Sequence, residues 1–476
     1  MKLFVERIII KNRAPFERLD LTFNENEIAV LTAVNGRGKT TLLSHIVDAW
    51  HEMARTHFQR EFEDKENMLY RVSSDIYNID KHLPSFVYIR FQTQEGNIDY
   101  IDIRNKCTQE QYDNVVAIEN KIPFEKIQEN LEQNNYIKHI SSNFDKKKAK
   151  SIFENNVITY FPAYRYEIPG YLNDPYKIHL DFTKESGFSG YLPNPLEVVT
   201  RLPQLANWIM DVVLDMDLYK QTQTFSLPNG SQRTIDSTPE RNVLWNNLNT
   251  IIGKTLVSKK YQGKIRFGIG KRNSGGSRIS IVNDKVIDGK NISEQICPTI
   301  FNLSSGEAAM LCMFGEILRQ ADKNRNNADL QQISGIVLID EIDKHLHIKL
   351  QKEVLPLLFN LFPNVQFIVS SHSPFLNMGL AEKSKARTKI IDLDNMGIST
   401  DPTTNDLYKE VYEMMINPNN RFAEKYNELS EKIKSMAKPL VITEGKTDWK
   451  HFKKALSFFQ SNTEFIDLDY CCCVNI

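Results

Sequence analysis

Between positions 27 and 50 the sequence runs EIAVLTAVNGRGKTTLLSHIVDAW. Its first part is an unbroken apolar stretch of strand length, the pattern of a strand buried on both faces. Its last part repeats Leu42, Leu43, Ile46, Val47 and Trp50 at helical spacing, which predicts a helix with one apolar side. A short loop containing Gly36 and Gly38 joins the two. A strand buried on both faces needs strands beside it and helices above and below, so this segment points to an α/β fold. Strand and helix alternate again from Ile333 onward, as in a parallel sheet.

The chain of 476 residues is too long for one compact core and predicts two or three domains. Its 59 Lys and Arg balance 60 Asp and Glu, so no bulk field advertises nucleic acid, although a local basic face remains open. With 41% hydrophobic and 25% charged residues the composition is that of a soluble globular protein. No run approaches the ~18 apolar residues of a membrane span. The start, MKLFVERIIIKNRAPFERLDLTF, alternates like strands and is unlike a secretory signal. Six cysteines, three of them consecutive at Cys471, Cys472 and Cys473, form neither a disulfide framework nor CxxC metal spacing. A reducing cytoplasm is the expected compartment.

Residues 2–31 suggest two or three short strands, and 84–104 a hairpin turning at Glu95 and Gly96. The polar stretch 107–156 reads as helical, with DKKKAK at 145–150 as a solvated face. VITYFPAYR at 157–165 returns to a strand, 195–257 reads as helical, and GKIRFGIGKRNSGGSRISIV reads as a second hairpin. No internal repeat is present. Lys39 and Asp340 stand 301 positions apart, with an insertion at about 105–260 of mixed helix and hairpins rather than a heptad coiled coil.

A glycine-rich loop between a buried strand and a helix lets successive backbone N–H groups and the helix N-terminus converge on phosphate oxygens. Asn35, Gly36, Arg37, Gly38, Lys39, Thr40 and Thr41 are the candidate nucleotide-binding residues. Lys39 would reach the β- and γ-phosphates and the Thr40 hydroxyl would ligate Mg²⁺. Ala33 occupies the place where the pattern ordinarily has its first glycine, a small loss if the backbone angles suit alanine. GIVLIDEID at 335–343 describes a buried strand that delivers carboxylates at its C-terminal end, where ligands bind in α/β sheets. There Asp340 would hold Mg²⁺, and Glu341 would orient and polarise an attacking water. FNLSSGEAAML at 301–311 places Ser304, Ser305, Gly306 and Glu307 at a helix start able to bind an anion. VQFIVSSHSPFL places His372 just after another buried strand, where its imidazole could sense a γ-phosphate.

These four elements in this order resemble the ABC-type ATPase heads of the SMC-like branch. LSSGE is similar to that family's signature sequence, IVLIDEID to its Walker B strand, SSHSP to its switch-histidine loop, and HLH at 345–347 to the tail after Walker B. The resemblance covers residues 1 to about 400 and implies ATP and Mg²⁺ as cofactors. It also implies face-to-face pairing of two heads, with Ser304, Ser305 and Gly306 of one chain against the γ-phosphate held by Lys39 of the other. Two places compete for the family's Q-loop: Gln92, and the segment around Tyr164 and Arg165. Arg13 is a further candidate for approach to the nucleotide.

A helical linker at 401–437 leads to a last segment, 438–476, opening PLVITEGKTDWKHFKKAL. An apolar strand ending in Glu444 and Gly445 before a helix resembles the start of a TOPRIM domain, which implies a Mg²⁺ ligand at Glu444 and later acids such as Asp467 and Asp469. An SMC-like ATPase joined to TOPRIM resembles the overcoming-lysogenization-defect (OLD) family. The 32 residues after Glu444 (445–476) are too few for the family's remaining strands, so an incomplete TOPRIM-like segment and poor nuclease activity of the chain alone are expected. The resemblance implies a homodimer or higher oligomer through the heads, a nuclease or effector partner, DNA as an associated ligand, and a role in bacterial anti-phage defence; the lack of a long apolar run predicts no membrane partner. Two alternatives stay open: a DNA-repair ATPase of the recombination-loader type, and a scaffold that uses ATP only for assembly.

Overall fold

The computed structural model describes residues 2–63, 72, 75–165, 190–199, 201–218, 221–226, 232–237, 239–259, 261–270, 278–323, 329–400, 448–462 and 466. The chain divides into two units, Met1–Lys409 and Glu410–Ile476. The first begins with strands β1 (Leu3–Arg13), β2 (Phe16–Thr22) and β3 (Ile28–Thr32), then helix α1 (Lys39–Arg55). The hairpin β4 (Ser85–Thr93) and β5 (Gly96–Arg104) follows. Next come α2 (Gln109–Val115), α3 (Glu125–Asn134), β6 (Tyr136–Ile140), α4 (Lys146–Asn155) and β7 (Val157–Phe161). The middle of the chain holds α5 (Leu202–Leu218), β8 (Gln221–Ser226), β9 (Gln232–Ser237), α6 (Pro239–Thr255), β10 (Lys264–Ile269), β11 (Ile279–Ile287) and β12 (Lys290–Cys297). The unit closes with α7 (Ser305–Lys323), β13 (Ser334–Ile339), α8 (Leu355–Phe359), β14 (Asn364–Ser370), α9 (Pro374–Lys383), β15 (Thr388–Asp392) and β16 (Ile398–Thr400). In the second unit the described residues include α10 (Asp448–Ser461). Glu444, Asp467, Asp469 and the three consecutive cysteines lie outside the described residues.

The central sheet has the order β16-β15-β3-β14-β13-β7. From β15 to β7 all neighbours are parallel, and β16 pairs antiparallel at the edge. Alternate residues of the same strands enter two different cores. Ile28, Val30, Val337, Ile339, Phe367 and Val369 pack on the side covered by α5, α6 and α7. Ala29, Leu31, Ile336, Leu338 and Ile368 face α1. Burial on both faces is why these strands read as continuous apolar runs rather than as alternating ones.

Helix α1 is itself sandwiched, because an antiparallel sheet of order β2-β1-β4-β5-β6 closes over its other side. The expected one-sided helix is therefore buried almost all round, Ser44, His45 and Asp48 included. Burial, reinforced by the neighbouring Arg13 charge, pushes the His45 pKa down to about 3, so this imidazole is neutral. Gln366 of β14 ties the two sheets together. Its Oε1 accepts from Val5 N at 2.8 Å and its Nε2 donates to Val5 O at 3.0 Å, next to the bulge of β1 between Val5 and Arg7.

The expected hairpin at 84–104 forms with Thr93 opposite Gly96, whose φ of 115° suits glycine. Three expectations change. The stretch 107–156 is not wholly helical, because β6 pairs with β5 as an edge strand. The stretch 195–257 carries the two-stranded β8–β9 ladder between its helices. The second hairpin gains a third strand, β12. QTQTFS and QRTIDS lack apolar alternation, and five residues of β6 are too few to show a period; their pairing partners specify them.

Gly335 at the start of β13 has φ 143°, and a Cβ there would lie 2.0 Å from Val157 O of the adjacent β7. Gly335→Ala should cost at least about 2 kcal/mol, because the obstacle is backbone and cannot turn aside. A urea unfolding midpoint equal to wild type would show that β7 moves freely and that the close approach is not a constraint.

Candidate nucleotide-binding site

The loop after β3 turns through two left-handed residues, Gly36 (φ 84°) and Gly38 (φ 91°). Gly38 is needed twice over: it is the N-cap of α1, and a Cβ there would meet Phe16 Cζ at 2.5 Å and Pro15 Cγ at 2.7 Å. Nothing lies within 4 Å of a Cβ at Gly36, so only its backbone angles demand glycine. Ala33 is absent from the positive-φ residues and rests on the core beneath, so alanine is unstrained there. Asn35, Gly36, Arg37 and Thr40 are exposed, and Thr41 is half-buried.

Lys39 is buried, and its Nζ donates to Ala33 O at 2.8 Å and Val34 O at 3.3 Å. Desolvation lowers its pKa, opposed by the nearby charges of Asp394, Asp340, Glu341 and Asp343. Thr40 Oγ1 donates to Asp340 Oδ2 at 2.7 Å, a bond across 300 positions of sequence. Asp340 follows β13, is buried, and donates its own N–H to Phe161 O at 2.8 Å. Glu341, half-buried, has φ 46°, and its N–H donates to Ser370 Oγ at 2.7 Å. His372 is half-buried just beyond β14, with its backbone N–H on Asp343 Oδ1 at 3.3 Å. Loop, acidic strand end and histidine loop thus meet along the C-terminal edge of one sheet.

Ser304 and Ser305 are exposed at the start of α7. Gly306 packs closely on the loop after β13, where a Cβ would sit 3.0 Å from His345 O. Glu307 is turned away from solvent: its Oε2 accepts from Ser304 N at 3.1 Å and Ser304 Oγ at 2.7 Å, and its Oε1 pairs with Lys259 at 2.8 Å. It closes the helix start as a capping-box acid, so the geometry does not offer it to a nucleotide.

Of the two Q-loop candidates, one is brought to the site. Gln92 pairs with Phe4 near the start of β1, whereas the glycine loop packs on Pro15 and Phe16 beyond that strand's other end. Arg165 lies beside the acidic strand end: its Nη1 donates to Asp340 O and Pro162 O, and its Nη2 donates to Glu341 O at 2.8 Å. Desolvation lowers the Arg165 pKa, opposed by Asp340, Asp343 and Glu341. Arg13 does not line the loop; it is fully buried and faces Asp102 at 3.6 Å.

Asp394 was not singled out from sequence. It accepts from Val34 N at 2.8 Å and pairs with Arg37 Nε at 3.1 Å, bracing the loop from beyond β15. The signal was available in TKIIDLD, a second apolar strand ending in acids. Asp394→Ala should speed amide exchange at Val34 about tenfold, the loss of one hydrogen bond, while global stability changes by less than ~1 kcal/mol. Unchanged exchange would mean that the loop holds its shape without this brace.

Residues 28–379 match the family described as "AAA domain, putative AbiEii toxin, Type IV TA system". The chain is 39% identical over 119 residues to the "Retron Vc95 probable ATPase" of Vibrio cholerae serotype O1 biovar El Tor, covering 25% of this chain and 23% of that protein. It is 27% identical over 190 residues to the Septu protein PtuA of Bacillus mycoides (strain KBAB4), covering 33% of this chain and 26% of that protein. The chain therefore matches about a quarter of the length of these curated relatives. Among solved structures it resembles the SMC head domain from Thermotoga maritima, at 11% identity and a TM-score of 0.37, over 82% of this chain and 95% of that one. The family match takes in the glycine loop, both acids and the histidine, and extends over well more than half of the 476 residues: the chain belongs to this AAA-domain family.

Proposed function

We propose that this chain is an ATPase that closes as a dimer on ATP and controls a nuclease or other effector acting on nucleic acid, in bacterial defence against phage. One observation carries the ATPase reading: the bond from Thr40 to Asp340 joins the glycine loop to the acidic strand end across 300 positions. A hydroxyl and a carboxylate are the hard oxygen donors that Mg²⁺ takes alongside phosphate oxygens and water. When bound, Mg²⁺ supplies neutralisation of phosphate charge.

The chain's own groups divide the remaining work. Backbone N–H groups of the 35–39 loop and the N-terminus of α1 face the phosphates. Lys39 exchanges its two backbone carbonyl partners for phosphate oxygens. Glu341 orients and polarises the attacking water, and His372 contacts the γ-phosphate from the neighbouring strand end. Ser304 and Ser305, exposed at the start of α7, with Gly306 behind them, complete the site of a second copy. The defence role is supported by the likeness to the retron ATPase and the Septu protein. The OLD-type reading, with Glu444 as a Mg²⁺ ligand of a TOPRIM-like segment, is supported by the pattern PLVITEGKTD.

Two experiments test this. Glu341→Gln should keep ATP binding, lower turnover about a hundredfold or more, and accumulate dimers on size exclusion with ATP. Hydrolysis at the wild-type rate would remove Glu341 from the mechanism. Mixing Ser305→Arg with Lys39→Ala protein should restore part of the ATPase activity, because one composite site keeps both intact halves. The mixture staying inactive while mixed dimers form would exclude action across the dimer. Turnover with and without DNA then separates a nucleic-acid-coupled ATPase from an assembly scaffold.

A further inference from the structure

We infer that Arg165 and Ser370 form a two-sided grip that fixes the backbone of Glu341, which makes them positioning residues for its carboxylate; the inference rests on Glu341 orienting the attacking water. Glu341 occupies a left-handed conformation, φ 46°, which a residue with a Cβ holds only when its surroundings dictate it. Both peptide planes that flank it are held at both ends. In the first plane, Asp340 O accepts from Arg165 Nη1 and Glu341 N donates to Ser370 Oγ at 2.7 Å. In the second, Glu341 O accepts from Arg165 Nη2 at 2.8 Å and Ile342 N donates to Ser370 O at 3.0 Å.

The chemistry of each partner suits the task. The rigid guanidinium fork presents Nη1 and Nη2 separately to two successive carbonyls in a fixed plane, a geometry that the single Nζ of a shorter lysine does not reproduce at this position. The serine hydroxyl accepts one hydrogen bond and donates another. Having accepted from Glu341 N, Ser370 gives its own proton to Asp340 Oδ1 at 2.5 Å, while Asp340 Oδ2 takes Thr40. Ser370 therefore aligns both acids together and is fully buried. The Glu341 side chain has little of its own to fix it: it is 43% exposed, and its carboxylate sits 3.9 Å from Lys344 Nζ. Where that carboxylate points is accordingly set by the main chain, and the main chain is set by Arg165 and Ser370.

The test compares the full chain with Ser370→Ala, Ser370→Thr, Arg165→Ala and Arg165→Lys. Binding of a fluorescent ATP analogue should stay within about threefold of wild type, whereas kcat should fall about 10- to 100-fold in both alanine variants, the cost of a misplaced catalytic group. Ser370→Thr should keep most of the activity because the hydroxyl remains, and Arg165→Lys should behave like Arg165→Ala. In a Glu341→Gln background neither alanine variant should lower turnover further. A purely structural pin would instead shift stability or affinity and leave kcat alone. Amide exchange across 340–342 in the nucleotide-free protein should accelerate about tenfold in both alanine variants, and this readout does not depend on turnover. Wild type without ATP hydrolysis would overturn the ATPase reading only. Unchanged exchange in the folded variants, or kcat losses that multiply with Glu341→Gln, would overturn the grip.

Discussion

Parallel strands buried on both faces open to solvent only at their ends. In this chain that constraint gathers the chemistry on one line. From β15 to β7, each parallel strand emerges at the same edge and each delivers polar groups there. Beyond β15 stands Asp394, beyond β3 the glycine loop, at the end of β14 Ser370 with His372, beyond β13 Asp340 and Glu341, and beyond β7 Arg165. The hydrogen bonds among them mostly run between neighbouring strand ends, Asp394 to the loop, Ser370 to both acids and Arg165 to the backbone of both acids, while the bond from Thr40 to Asp340 reaches past the end of β14. A sheet with one solvated face could scatter such groups over its surface; a doubly covered sheet cannot.

The groups at that edge stand on a rigid base. Helix α1 carries Lys39 and Thr40 at its first turn and is enclosed between two sheets, with Trp50 fully buried. Enclosure on all sides leaves the helix little freedom to tilt, so the loop it anchors is held in shape by packing from below and by Asp394 from the side. Backbone conformations with positive φ occur where the loops turn, at Gly36, Gly38 and Glu341. Glycine meets that demand at two of the three. At the third, Glu341, hydrogen bonds from Arg165 beyond β7 and to Ser370 of β14 hold the main chain in a conformation that a residue with a Cβ disfavours.

Much of this was legible in order of residues alone. The buried strands, the glycine loop, the acids after β13 and the histidine after β14 all show themselves as apolar runs ending in polar letters, because strand burial forces that pattern. What escaped has a common physical basis. β6 and the β8–β9 ladder are specified by their partners and carry too little apolar periodicity to be seen singly. Gln92 and Glu307 have suitable chemistry, yet Gln92 lies near the wrong end of its sheet and Glu307 is occupied by its own helix cap. A side chain's type is local, whereas its destination depends on which way a strand runs and what already bonds to it.

The amino-acid sequence by itself determined an α/β fold, the position of the loop between strand and helix, and the identities of Lys39, Thr40, Asp340, Glu341 and His372 as a candidate set. Their proximity, which of two Q-loop candidates adjoins them, and the hydrogen bonds of Asp394, Ser370 and Arg165 to them were decided by tertiary structure alone. The reason is geometric. Strand order in a parallel sheet is fixed by the packing of helices on both faces, and it brings together residues such as Thr40 and Asp340 that are 300 positions apart. No periodicity along the chain encodes that neighbourhood, because it exists only once both faces of the sheet are covered.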